Sequence, residues 1–233
     1  MSNVPTRAQL AARSIRHPLT RALLVLTFTT GLVDAVSYLG LGHVFTANMT
    51  GNIVLLGFGL ARSGGLPVVS PLVSLAAFLL GAGAGGLLAR RYGDRHADHV
   101  MRALGIEVAL IALATVLAAT LTIHPNALSG DTLIALLALA MGVRNATVRK
   151  IAVPDLTTTV LTMTLTGLAA DSTVFGGDGA GTIRRTAAVV AMLVGALAGA
   201  LLLKQSLALP LAAAAGLAVA TWLVYVPAAR RAT

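Results

Sequence analysis

The sequence predicts an all-α integral membrane protein: six transmembrane helices plus two short polar segments, re-entrant or broken, in two inverted three-span repeats. Three observations carry that prediction. The first is composition. Of 233 residues, 57% are hydrophobic before the 24 Gly are counted, and only 11% are charged, where a soluble domain carries about 25%. Such a chain lacks the polar side chains to cover a water-facing surface. The second is the position of the 17 Lys and Arg, which sit at the ends of apolar runs. The third is a pattern of residues in the first half that returns in the second.

The elements follow in order. Residues 1–21 are polar and lack the apolar core of a signal peptide, so they are expected to form a cytoplasmic tail with the first apolar run kept as an anchor. That run, Ala22–Leu41, is the first of six long enough to cross a bilayer, which takes about 20 residues. The others are Pro71–Ala89, Ala103–Ile123, Thr132–Val153, Thr186–Leu203 and Leu207–Val226. Two further runs, Val44–Ala61 and Leu156–Ala170, are loaded with small polar residues. They leave two topologies open, eight straight spans or six spans with two segments that enter and leave on one side.

Charge decides between them. With eight spans the Lys and Arg divide almost evenly between the two sides of the membrane. With six, only Arg62 and Lys204 face outward and the rest lie in cytoplasmic loops and tails, as the positive-inside rule requires. Six spans therefore follow, with both termini in the cytoplasm. The transmembrane domain runs over 22–227, and residues 228–233 form a C-terminal tail. Non-spanning polar segments at membrane depth are tolerated only where protein or a water-filled cavity covers them.

The repeat agrees. Gly31, Asp34, Ala35, Phe45 and Thr46 return 111 residues later as Gly142, Asn145, Ala146, Leu156 and Thr157. Gly81 and Gly85 match Gly195 and Gly199 at an offset of 114. Repeat one spans 22–123 and repeat two 132–227. With three true spans in each half, the second starts on the opposite side from the first, an arrangement many secondary transporters share. The four glycines permit close helix approach and are assigned to packing.

Asp34 stands about a dozen apolar residues beyond Arg21, at a depth where a carboxylate must be paired, hydrated or protonated. Two roles remain open for it: a cation or proton site, or a structural Asp that caps a helix start or pairs with a basic residue. Arg144, at the matching level of the second half, is the expected partner, unless it belongs to the interface with Arg149 and Lys150. The segment Thr46–Asn52, with Asn48, Thr50, Gly51 and Asn52, offers amides, hydroxyls and a helix N-terminus. Its Thr-rich counterpart includes Thr158 and Thr162 and is closed by Asp171. These residues either line a pathway or hold packed helices together by hydrogen bonds. Asp155, after Pro154, is expected to cap the second polar segment. Glu107 falls near the start of a span, within reach of the interface, and His43 between the first span and the first polar segment.

Nothing points to catalysis. The chain has no Cys, no serine-hydrolase, zinc-protease or phosphate-loop motif, and no dinucleotide fingerprint. The expectation is a non-enzyme without cofactor or metal. Nucleic acid is not an expected partner, because no aromatic or basic binding face accompanies the charges. The lipid bilayer is, together with a small polar solute or ion.

The stretches GLVDAVSYLGLGHVFTANMTGN and GVRNATVRKIAVPDLTTTVLTMTLTGLAAD resemble the YoaK-like family, bacterial integral membrane proteins carried as a domain of unknown function. The resemblance covers roughly Thr20–Val226. It implies a bacterial inner-membrane protein of about six spans and no established substrate. It marks Asp34, Asn48, Thr50, Gly51, Asn52, Arg144, Asn145, Asp155, Thr158, Thr162 and Asp171 as hallmarks, without a catalytic role. The functional expectation is a transporter or channel for a small polar solute or ion with a midplane site around Asp34. A non-transporting membrane scaffold is the alternative, and an intramembrane enzyme using Asp34 with Asp171 comes third.

Overall fold

The computed structural model describes residues 17–92, 96–151, 158–159 and 161–231. Among these the chain forms long helices α1 (Pro18–Gly40), α3 (Val69–Tyr92), α4 (His96–Thr120), α5 (Leu128–Ile151), α7 (Thr182–Leu203) and α8 (Ala208–Arg231). Two short helices, α2 (Met49–Leu60) and α6 (Thr162–Ala170), and one 3-10 turn (Thr173–Phe175) interrupt them, with no strand among the described residues. All six long helices are long and apolar enough to cross a membrane. This is an all-helical integral membrane protein.

Five of the six long helices start before their apolar runs. The reason is local: a helix needs apolar side chains only inside the hydrocarbon, and its first turn continues into polar surroundings where capping groups serve it. α1 begins with Pro18 in its first turn and the His17 ring accepting from the Leu19 amide at 3.3 Å. Residues 18–21 therefore belong to the helix rather than to the expected tail. At the other end α8 runs to Arg231, into the segment assigned to the C-terminal tail.

The short helices have 12 and 9 residues, about 18 and 14 Å at 1.5 Å per residue. A bilayer core is about 30 Å thick, so neither crosses as a helix. α2 lies against α3 and α6 against α7.

α1 and α5 are the central helices, each 61% buried over its most apolar window, against 22% for α3 and 17% for α7. α1 packs on α7, and α5 packs on α3; α4 packs on α8 and α5, and α8 packs on α1. Lipid is as apolar as leucine, so such helices associate through close contact rather than hydrophobic expulsion from water. Glycines supply that contact. A Cβ at Gly81 would land on the Leu139 carbonyl, and one at Gly142 on the Phe78 carbonyl. On the other side, Gly195 sits against the Phe28 carbonyl and Gly31 against that of Met192. Gly85 faces Ala146 and Val143, and Gly199 faces Ala35 and Leu32. Adding 111 to positions in α1 and 114 to those in α3 turns one set of contacts into the other.

The buried side chains form two apolar clusters. One gathers Val33, Val36, Ile111, Leu137, Met141 and Leu211; the other gathers Leu19, Leu23, Leu26, Leu104, Val148 and Tyr225. In the second cluster the start of α1 meets the end of α5, so these two helices run in opposite senses. Between the clusters, α1 contributes Thr29 and Thr30, α4 Glu107 and α5 Arg144, all buried. A polar layer thus divides the core.

Candidate functional site

Asp34 stands six residues before the end of α1. Its Oδ1 accepts from the backbone amides of Thr46 at 3.2 Å and Ala47 at 3.1 Å, and from the Thr46 hydroxyl at 3.5 Å. The carboxylate therefore fastens the turn that leads into α2. Sequence forces a turn there: Gly42 and His43 both take positive φ, 109° and 60°, and reverse the chain after α1. Tyr38 stacks on Phe45 with ring centroids 4.8 Å apart, closing the same turn.

Asn52 fixes the turn from the other side. Its Oδ1 accepts from the Phe45 amide at 2.9 Å, while its Nδ2 donates to the Phe45 carbonyl at 2.7 Å and to Ser74 Oγ at 3.1 Å. Ser74 Oγ in turn donates to the Phe45 carbonyl at 2.7 Å. Asn48 is the N-cap of α2, accepting from the Gly51 amide at 3.2 Å, and Gly51 leaves room for the Phe45 ring. Asn48 and Thr50 are exposed. Asp34, Asn52 and Ser74 thus hold one turn, with Asn48 and Thr50 on its open side.

The second half has a counterpart. Asn145, at the position matching Asp34, accepts from the Thr159 hydroxyl at 2.6 Å through Oδ1 and donates to the Met141 carbonyl at 2.8 Å through Nδ2. Thr158 beside it is buried with φ of 60°. Thr162 opens α6, exposed, with its carbonyl accepting from the Thr166 hydroxyl at 2.9 Å. Asp171 ends α6 and pairs with Arg185 at 2.7 Å, its side chain half exposed. Arg185 also donates to the Gly167 carbonyl at 2.7 Å, tying α6 to α7. The expected cap Asp155 lies outside the described residues, as does Thr157.

The expected Asp34–Arg144 pair is not formed. Arg144 Nη1 donates to the Leu26 carbonyl and to Thr30 Oγ1, both at 2.8 Å, and Nη2 to Thr29 Oγ1 at 3.0 Å and to Glu107. Its ion-pair partner is Glu107, and both side chains are 1% exposed. The physical reason is the opposite sense of α1 and α5. Asp34 lies six residues before the end of its helix and Arg144 seven before the end of its own. Matching positions in antiparallel helices fall at opposite depths, so the guanidinium meets Thr29 and Thr30 and not Asp34.

Glu107 also departs from the interfacial place expected for it. α4 begins at His96, seven residues before the apolar run that suggested its start, which carries position 107 into the core. A signal was present: Val100, Ala103, Leu104, Glu107, Ile111 and Ala114 form one buried stripe at helical spacing. Asp34 and Asp171 belong to separate clusters, the first on backbone amides and the second on Arg185. Among the described residues no three His, Asp or Glu side chains are grouped to hold a metal.

Comparison with known proteins matches the chain to one family. The model of a protein family of unknown function, DUF1275, matches residues 22–224. The UPF0700 transmembrane protein YoaK of Bacillus subtilis (strain 168) is 35% identical over 150 residues, 64% of this chain and 65% of that relative, so the match spans just under two thirds of the relative's length. No solved structure matches. With all six long helices inside the matched region or overlapping its ends, the chain belongs to the DUF1275 family of membrane proteins of unknown function.

Proposed function

We propose that the protein moves a small polar solute or ion across the bacterial inner membrane, as a transporter or channel, through a pathway beside the starts of α2 and α6. One observation carries the reading: two helices too short to cross are each fastened, through the turn before them, to a polar side chain of a central helix, Asp34 or Asn145. Broken helices persist at membrane depth only beside protein or water, because lipid satisfies none of the backbone groups that the break releases. In transporters such breaks form the solute site. Asn48, Thr50, Thr162 and Thr166, exposed around these starts, are the groups that would meet the solute.

The two halves act here as inverted repeats that rock against one another. The exchange of glycine contacts under the two offsets, and the opposite senses of α1 and α5, support this. The distribution of Lys and Arg supports cytoplasmic termini. Asp34 serves the pathway by holding the α2 turn, and no bond-making chemistry is assigned to it.

The test is thermal unfolding in detergent of the wild type beside Thr50→Val, across a panel of ions and small metabolites, followed by flux into proteoliposomes. A ligand at 100 times its Kd stabilises the folded state by about 2.7 kcal/mol. The expected result is one solute class that raises the wild-type midpoint, a smaller rise in Thr50→Val, and flux of the same class. A flat panel with no flux favours the scaffold reading, which draws its support from the internal bonding of Asp34, Asn52 and Arg144.

A further inference from the structure

At the end of the bundle that carries Arg149 and Lys150, α3 finishes and α4 begins, and the two helices leave an open groove of about 540 Å³ between them. Its mouth is basic and aromatic. Arg91 and Tyr92 close α3, and Arg102 stands in the second turn of α4. The Arg102 guanidinium carbon lies 4.3 Å from the centroid of the Tyr92 ring, and that of Arg91 lies 5.8 Å from it. Both arginines are exposed, and among the described residues no carboxylate lies within ion-pair distance of either. Two like charges gathered at one ring repel each other. A phosphate beside them relieves that repulsion and accepts charge-assisted hydrogen bonds from both.

Inward from the mouth the groove is apolar. Leu87 lies one turn from Arg91 along α3, and Gly105, Ile106 and Ala109 lie one to two turns from Arg102 along α4. Leu87 is 61% exposed and Ile106 38%, and a Cβ at Gly105 would meet nothing within 4 Å. α3 gives its packed face to α5, while α4 gives its own to α8 and α5, so the channel between them is left to lipid. Charge at the helix ends, then an aromatic ring, then hydrocarbon is the profile of a phospholipid at the membrane interface. Basic pockets between transmembrane helices recognise anionic headgroups.

We propose that this groove is a binding site for one anionic phospholipid, its phosphate held by Arg91 and Arg102 beside Tyr92 and an acyl chain laid along Leu87, Gly105 and Ile106. A zwitterionic lipid brings an ammonium group to the same two arginines, so the site selects a net negative headgroup. Arginines that only mark the interface, with stems along the helix and heads in water, give no selection that depends on the groove beneath them. The site needs only the membrane fold and goes beyond the transport reading.

The experiment is native mass spectrometry of the purified protein in detergent, titrated with phosphatidylglycerol or with phosphatidylcholine of the same acyl chains. The readout is the ratio of the two affinities within each variant. The expected result is one phosphatidylglycerol retained per chain in preference to phosphatidylcholine. Near a membrane surface one Arg contributes about 1 kcal/mol to the attraction of an anionic lipid, so Arg102→Gln is expected to lower the ratio about fivefold. Gly105→Leu leaves every charge in place and fills open space in the groove, and is expected to bring the ratio close to one. Arg90→Gln removes the same charge from the same helix end outside the groove, and Arg21→Gln removes one from the separate groove between α1 and α8; both are expected to keep the wild-type ratio. An equal loss in Arg90→Gln, a loss in Arg21→Gln alone, or full selectivity in Gly105→Leu overturns the proposal. Displacement of the lipid by glycerol 3-phosphate at the lipid's own concentration would show a site for soluble phosphate and overturn it as well.

Discussion

Asn52 satisfies both the N–H and the C=O of Phe45 with one amide, and Ser74 closes the triangle. Removing such a buried partner leaves the full desolvation cost of the orphaned groups, about 1–3 kcal/mol. Asn52→Ala is expected to lower the thermal midpoint accordingly, while Thr50→Ala, at an exposed position two residues away, leaves it nearly unchanged. Equal midpoints for the two variants would show that the turn is held some other way. At this scale the sequence was half legible. The depth of Asp34 and the polarity of the first segment were plain, since charges and amides inside an apolar run are conspicuous. Partner choice was not. Whether Asp34 meets Arg144 or two backbone amides depends on the relative depth of two helices distant in sequence, and the repeat suggested a match in level where the antiparallel arrangement imposes a mismatch. Glu107 was hidden differently: its helix begins before the apolar run, so counting from the run put it at the edge.

Among the elements, the α3–α5 and α1–α7 pairs are set by glycine, and the structure separates glycines that matter from glycines that do not. Gly81 has no room for a Cβ beside the Leu139 carbonyl, whereas Gly83 and Gly86 on the same helix have nothing within 4 Å. Gly81→Ala forces two backbones apart and is expected to cost about 1–3 kcal/mol, in the range of overpacking. Gly83→Ala meets open space and gains helix propensity, so it is expected to be neutral or to stabilise by up to about 1 kcal/mol. Thermal midpoints of the two variants, with Gly195→Ala and Gly86→Ala as a second pair, check this; similar losses at Gly81 and Gly83 would reject the α3–α5 contact. The sequence did mark Gly81, Gly85, Gly195 and Gly199, because small residues four apart are a packing signal. It could not say which helix each would meet. The pairing crosses between the halves, α3 on α5 and α7 on α1, and no local pattern encodes a partner more than 50 residues away.

For the whole molecule, the question is which end of the bundle faces the cytoplasm, and charge with length makes a sharp prediction. Six helices cross and the two short ones do not reach. The linker after α2 and the one after α6 then lie on opposite sides of the membrane. Arg62 and Lys204 are at one end, while Arg90, Arg91, Arg149, Lys150, Arg184 and Arg185 are at the other, and translocation of the richer end is disfavoured. The chain has no Cys, so a single introduced thiol reports without background. Ser63→Cys, in the exposed linker after α2, is expected to react in intact cells with an impermeant thiol reagent. Val174→Cys, 85% exposed after α6, is expected to react only once the cells are opened. Reversed labelling would invert the orientation and leave the fold standing. Protection of both would mean that both short segments carry the chain across after all, giving eight spans. That outcome would remove the paired half-crossings on which the proposed pathway depends, since α2 could then no longer enter and leave on one face beside Asp34.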